Sequence, residues 1–154
     1  MSSPMYTLSV PVFKQMLTAL KAILAKADAQ AAAQSAEPDA YLQARLYPDM
    51  FPLVKQVQIA ADFARGVSAR LAGVDVPSYE GKERSFTDLD GLLAKTVAFL
   101  DGVLRPGTPK EKTMTGEAYL AHYGLPQFFF HVTTAYALLR HNGMAIGKRD
   151  YMGG

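Results

Sequence analysis

The sequence predicts an all-α domain, a four-helix bundle. Three observations carry that expectation. Apolar residues recur at spacings of three and four in four separate segments, the period of an amphipathic helix. Prolines, glycines and short polar runs separate those segments. No stretch alternates apolar and polar residues in the manner of a strand. Four helical segments joined by loops of moderate length are most economically buried as a bundle.

The first segment runs from Thr7 to about Gln34. Val12, Met16, Ala19, Leu20, Ile23 and Ala27 form its stripe, with Phe13, Leu17 and Leu24 alongside. Thr7 or Ser9 is placed to cap its start, and Pro11 is tolerated in a first turn. The alanine-rich stretch from Ala25 to Ala36 favours helix by propensity but has little to pack, so fraying is expected before Pro38. A linker over residues 37–46 has room for one helical turn. The second segment starts between Pro48 and Pro52 and carries Phe51, Val54, Val57, Ala61, Ala64 and Leu71, with Gly73 as a left-handed C-terminal cap. Gly66 costs this helix about 1 kcal/mol relative to alanine, which a close helix–helix contact would explain.

Residues 74–84 read as a loop. The third segment starts at Ser85 or Thr87 and carries Leu89, Leu92, Leu93, Thr96, Phe99, Leu100 and Val103; Ser85 followed by Asp88 is a capping arrangement. Arg105-Pro106-Gly107-Thr108-Pro109 stops it. Residues 110–125, containing Gly116 and Gly124, read as a long packed loop before the last helix. That helix spans Pro126 to Asn142 and is capped by Gly143. It opens with Phe128, Phe129 and Phe130, which cannot share one face at 100° per residue. Either the helix is surrounded by partners, or one ring lies against the loop or a second subunit. The tail from Met144 to Gly154 is expected on the surface.

Composition narrows the function. The 154 residues suit a single domain spanning 1–154, and a chain of this length buries enough surface for one core. Cysteine is absent, so disulfides, thiolate metal sites and cysteine nucleophiles are excluded. Sixteen basic and 14 acidic residues leave a net charge of +2 with no concentrated basic face, which argues against a nucleic-acid partner. The N-terminus has no signal-peptide pattern, and the longest unbroken apolar run is well short of the ~20 residues that span a bilayer. A cytoplasmic protein without a membrane partner is the expectation.

Chemistry-bearing residues are sparse. Of three histidines, His131 and His141 lie ~15 Å apart along one helix and ~80° around it, so they cannot share an ion. His122, in the preceding loop, has room to fold back toward His131. Gln127 and His131 stand at i and i+4, the spacing of two ligands on one helical face, though glutamine is a poor metal ligand; the pair would equally hydrogen-bond a small polar molecule. Gln56 and Gln58 interrupt the apolar pattern of the second helix, and one of them is expected to point inward. Tyr119, Tyr123 and Tyr136 with the phenylalanine run would line a pocket or fill the core. Ser9, Ser68, Ser78, Thr133 and Thr134 have no base nearby in sequence, and no nucleophile elbow or phosphate loop exists. Thr133 and Thr134 are expected to bond the helix backbone. Glu80, Glu83, Asp88 and Asp90 suit a helix N-terminus, and Lys148-Arg149-Asp150-Tyr151 a solvated tail or a partner contact.

The run from Phe128 to Gly143 (FFFHVTTAYALLRHNG), followed by Gly147-Lys148-Arg149-Asp150-Tyr151, resembles the final helix of the DinB/YfiT-like superfamily. It is most similar to a family of unknown function within that superfamily, and Phe51 to Ile59 (FPLVKQVQI) fits the same pattern. The resemblance implies an up-down-down-up bundle that forms homodimers. It also implies a divalent-metal site built from one histidine of the second helix and a His-x-x-x-His pair of the last, used in some members for thiol-dependent transfer or isomerisation. His131 matches the last of those histidines. Gln127 replaces its partner, and the helix-two position falls near Gln58. The implied site is degenerate: a pocket without a tightly held metal. The expectation is a metal-free module that binds a small molecule or a protein, as a homodimer, through His131, Gln127, Gln58, His122 and Tyr136. The alternative is a thiol-transferase-type enzyme with a weak divalent metal at His131, held with Gln127, Gln58 and His122.

Overall fold

The computed structural model describes residues 4–103 and 115–154. These form helices α1 (Pro4–Thr7), α2 (Val10–Ala33), α3 (Pro38–Leu42), α4 (Leu53–Ala72), α5 (Phe86–Gly102), α6 (Gly116–Tyr119), α7 (Leu125–His141) and α8 (Lys148–Met152), with a π-helical segment, Leu120–Gly124, joining α6 to α7. The four long helices α2, α4, α5 and α7 make the bundle. The proline-glycine stop over 105–109 lies outside the described residues.

Side-chain pairs fix the helix directions. Lys14 pairs with Asp101 and Lys21 with Asp90, so α2 and α5 run antiparallel. Gln56 meets His131 while Val67 meets Gly124, so α4 and α7 are antiparallel. Phe13 meets Phe128 and Gln30 meets Gly143, so α2 and α7 are parallel. The topology is up-down-down-up, as the family resemblance implies. The loop after α4 runs back along that helix, and Gln58 Nε2 donates to the Gly81 carbonyl at 3.2 Å, so α5 begins beside the start of α4.

The core follows most of the predicted stripes: Phe13, Leu17, Leu20, Ile23 and Leu24 of α2 meet Val57 and Ala64 of α4, Leu89, Leu93 and Leu100 of α5, and Phe128 and Leu138 of α7, whereas Phe51 precedes α4 and is exposed, and Val12, Val54 and Phe99 are only half-buried. Phe13 and Phe128 pack edge to face, centroids 4.8 Å apart. The triplet of phenylalanines is thereby resolved: Phe128 is buried, Phe129 half-buried and Phe130 exposed. The stretch Pro4–Ala33 is long and apolar enough to cross a bilayer by length and composition, more so than its interrupted pattern suggests; half of its most apolar window is buried among the other helices.

Several local expectations are met. Gly73 is left-handed at the end of α4, Ser85 Oγ caps α5 by accepting from Asp88 N at 3.0 Å, and α3 supplies the helical turn of the linker. Others are corrected. Ser9 occupies the N-cap position of α2, but its hydroxyl donates back to the Met5 carbonyl and caps nothing. The alanine-rich end leaves the helix after Ala33, before Pro38 as expected, but it is not short of partners: Ala27 and Ala31 are buried and Gln30 bonds both Gly143 O and Ala145 N. The stretch read as a loop before the last helix is helical from Gly116: Thr115 caps α6, and Gly124 sits where a Cβ would lie 2.9 Å from Val67 Cγ2. That glycine is a packing device, not a break. The tail is docked. Met144 and Ile146 are buried, Asp150 pairs with Lys26, and Thr133 Oγ1 reaches Tyr151 Oη at 3.0 Å and not its own backbone. Thr134 bonds the Phe130 carbonyl as expected.

Candidate functional site

The polar centre of the α4–α7 seam is a directed hydrogen-bond chain. His131 is 8% exposed and its Nδ1 lies 2.6 Å from Gln56 Oε1. Gln56 Nε2 donates to the Phe51 carbonyl at 3.1 Å. A carbonyl only accepts, so the amide nitrogen must face Phe51 and the amide oxygen must face the imidazole. Nδ1 therefore carries the proton. Burial pushes the His131 pKa below its ordinary value, so the neutral ring is favoured, with its lone pair on Nε2. Nε2 forms no hydrogen bond with a described residue. The proline-led turn Phe51-Pro52 fixes this tautomer through Gln56.

Aromatic rings frame the histidine. Phe63 of α4 lies parallel to it with centroids 5.9 Å apart, and Phe130 meets it edge-on at 5.1 Å. Phe63 also forms one wall of an open groove of about 370 Å3, lined by Asp62, Phe63, Arg70, Tyr119 and Tyr123. The π segment brings Tyr123 over Tyr119, stacked at 5.6 Å, and edge-on to Phe63 at 5.9 Å. Arg70 Nη1 donates to Tyr119 Oη at 3.3 Å. Asp62 accepts from Arg65 Nη2 at 2.6 Å. A π segment inside a helix often marks a functional position, and here it adjoins the groove.

The structure sorts the residues singled out from sequence. His131 is at the centre. Gln127 is half-buried on the same helix but bonds nothing described; the partner of His131 is Gln56. The helix-two position opposite His131 is thus Gln56 and not Gln58. Gln58 faces the other side of α4, donating to Glu83 Oε2 at 2.7 Å and to the Gly81 carbonyl, where it fastens the returning loop. His122 is exposed on the π segment, and no contact joins it to His131. Tyr136 packs edge-on against Tyr151 of α8 at 5.8 Å, away from the histidine. Sequence reasoning missed Phe63, Arg70 and Asp62. Their signal was Gly66: a Cβ there would come within 2.7 Å of Arg70 Nη1. Gly66 thus seats an arginine and does not make the close helix contact expected of it; that contact belongs to Gly124.

The donor set does not fit a tightly held divalent ion. His131 offers one nitrogen, Gln56 is committed to the ring and to Phe51, and Gln127 is neutral. Among the described residues no three His, Asp or Glu side chains come together as a ligand set.

Comparison with known proteins places this arrangement. Residues 5–152 match the family model "Domain of unknown function (DUF1993)". The crystal structure of a DinB family member protein from Shewanella denitrificans is similar over 97% of this chain and 92% of its own, with 35% sequence identity and a TM-score of 0.88. No curated protein matches the chain. The match over nearly all of the sequence and the shared bundle make this chain a member of the DUF1993 family, with a DinB-like fold.

Proposed function

We propose that this protein is a metal-free binding module, forming a homodimer and taking a small organic molecule at the α4–α7 face. The observation that carries this reading is the fixed tautomer of His131. Gln56 holds Nδ1–H, which leaves a neutral ring with an Nε2 lone pair beside an aromatic groove, able to accept a hydrogen bond. Second partners of this kind also orient histidines toward metals, but a stable site needs about three protein ligands, and the neighbouring positions supply neutral amides.

The test is titration of chelator-free protein with zinc or nickel, followed by calorimetry. A metal-free module gives no stoichiometric heat, and the His131→Ala variant behaves like the parent. One equivalent bound tightly, and lost in His131→Ala while the helical spectrum persists, overturns the reading in favour of the metal-dependent thiol-transferase alternative.

A further inference from the structure

We propose that the groove between α4 and the α6–α7 junction is built for a planar organic anion, an aromatic carboxylate, anchored by Arg70. This deepens the binding reading above and rests on it.

The groove has the size and lining for such a ligand. Its volume of about 370 Å3 accommodates one or two fused rings, and three of its five lining residues are aromatic. Tyr123 and Phe63 meet edge to face, so each leaves ring surface over which a flat molecule can stack. The charge balance selects the sign. Asp62 is the sole acid in the lining, and it is engaged by Arg65, which is 5% exposed. Arg70 pairs with no carboxylate among the described residues; its partner is a phenol oxygen at the long distance of 3.3 Å. Asp62 is held by Arg65 from outside the lining, so Arg70 is the cation of the groove whose charge no carboxylate of the described residues answers, enough for a monoanion. A guanidinium fork matches a carboxylate in two parallel hydrogen bonds.

Gly66 makes the arginine's position specific. An ordinary exposed arginine swings into solvent. Here the missing Cβ lets the guanidinium lie back across α4, with Nη1 where a side chain at residue 66 would be. A glycine in the interior of a long helix costs stability, and the seat for Arg70 is what this one provides.

The experiment uses isotope-labelled full-length protein and three probes of one shape: 2-naphthoate, neutral 2-naphthamide and cationic 2-naphthylmethylamine. Naphthoate is expected to bind most tightly, with shift changes centred on Tyr119, Tyr123 and Phe63. Arg70→Gln should weaken naphthoate roughly 10- to 100-fold, the scale of a charge-assisted bidentate contact, and leave naphthamide unchanged. Gly66→Ala keeps the arginine but removes its seat, and should weaken naphthoate several-fold in a protein no less stable. If naphthamide or the amine binds the groove as tightly, or Arg70→Gln has no effect, the anion assignment is overturned while the groove stands as a binding site. If none of the three shifts the groove resonances, the groove is not a site, and the small-molecule reading falls with it.

Discussion

A single amide decides the state of His131. Gln56 is pinned by the Phe51 carbonyl, so its oxygen faces the ring and the imidazole proton stays on Nδ1. Protonating the ring would place a charge where burial already depresses the pKa. The unfolded chain, with its histidine near the ordinary value of 6.5, takes up that proton first as pH falls. Between the depressed folded pKa and 6.5 the unfolded state binds more protons, so stability rises with pH across that window and is lost on acidification through it. Chemical denaturation at pH 7.5 and 5.5 should show a smaller loss in His131→Asn, whose side-chain amide still donates to Gln56 but does not titrate. An equal loss in both proteins would assign the acid sensitivity to other groups. Gln56→Leu should cost about 1–3 kcal/mol, because it orphans a buried Nδ1–H and leaves the Phe51 carbonyl without its partner. His131 was legible in sequence from its place on the last helix. Its partner was not, since Gln56 and Gln58 break the same apolar pattern two residues apart, and only the position of the neighbouring helix and loop decides which one faces the ring.

Two glycines separate packing from binding at the level of the helices. Both sit inside helical runs, Gly66 in α4 and Gly124 at the π segment's end. Alanine would normally stabilise each by up to about 1 kcal/mol through helix propensity. At Gly124 the added Cβ lies 2.9 Å and 3.0 Å from the two Val67 methyls, which are fully buried and cannot retreat. Gly124→Ala should therefore destabilise by about 1–3 kcal/mol, the usual cost of overpacking. At Gly66 the clash is with the far end of an exposed arginine, which can move. Gly66→Ala should leave stability unchanged or raise it by up to about 1 kcal/mol. Thermal melts of the two variants read these opposite signs directly; the same sign in both would mean that the α4–α7 contact does not depend on Gly124. The helical stripes of α2, α4, α5 and α7 were readable from spacing alone, because each faces one continuous core. The helical start at Gly116 was not. Two glycines and a polar run are local loop signals, and they are overridden by the Thr115 cap and by the docking of Gly124 on Val67. The tail was misread for a related reason: Met144 and Ile146 are too few to form a period, yet both are buried and bring α8 onto α2.

At the scale of the whole molecule, several large apolar side chains of the described residues stay exposed, and two of them flank the buried histidine. Phe51 is 52% exposed and Phe130 54%, and both adjoin the Gln56–His131 pair; Leu46 and Tyr47 are exposed on the segment leading into α4. The four side chains together expose roughly 400 Å2. A stable two-fold interface needs about 800 Å2 per partner, so this patch would form its centre and polar residues its rim. A homodimer through it would place two His131 sites near one symmetry axis and cover Phe130, the phenylalanine of the triplet that the described residues leave exposed. Light scattering across the micromolar range should then give twice the chain mass, and Phe130→Glu should shift the equilibrium to monomer by setting like charges against each other across the axis. Because Phe130 also touches His131, Phe51→Glu serves as the second variant, with circular dichroism confirming that both remain folded. A strict monomer in the parent protein removes the dimer. A dimer that survives both substitutions assigns the interface to another face, and leaves Phe51 and Phe130 open to a ligand or a different protein.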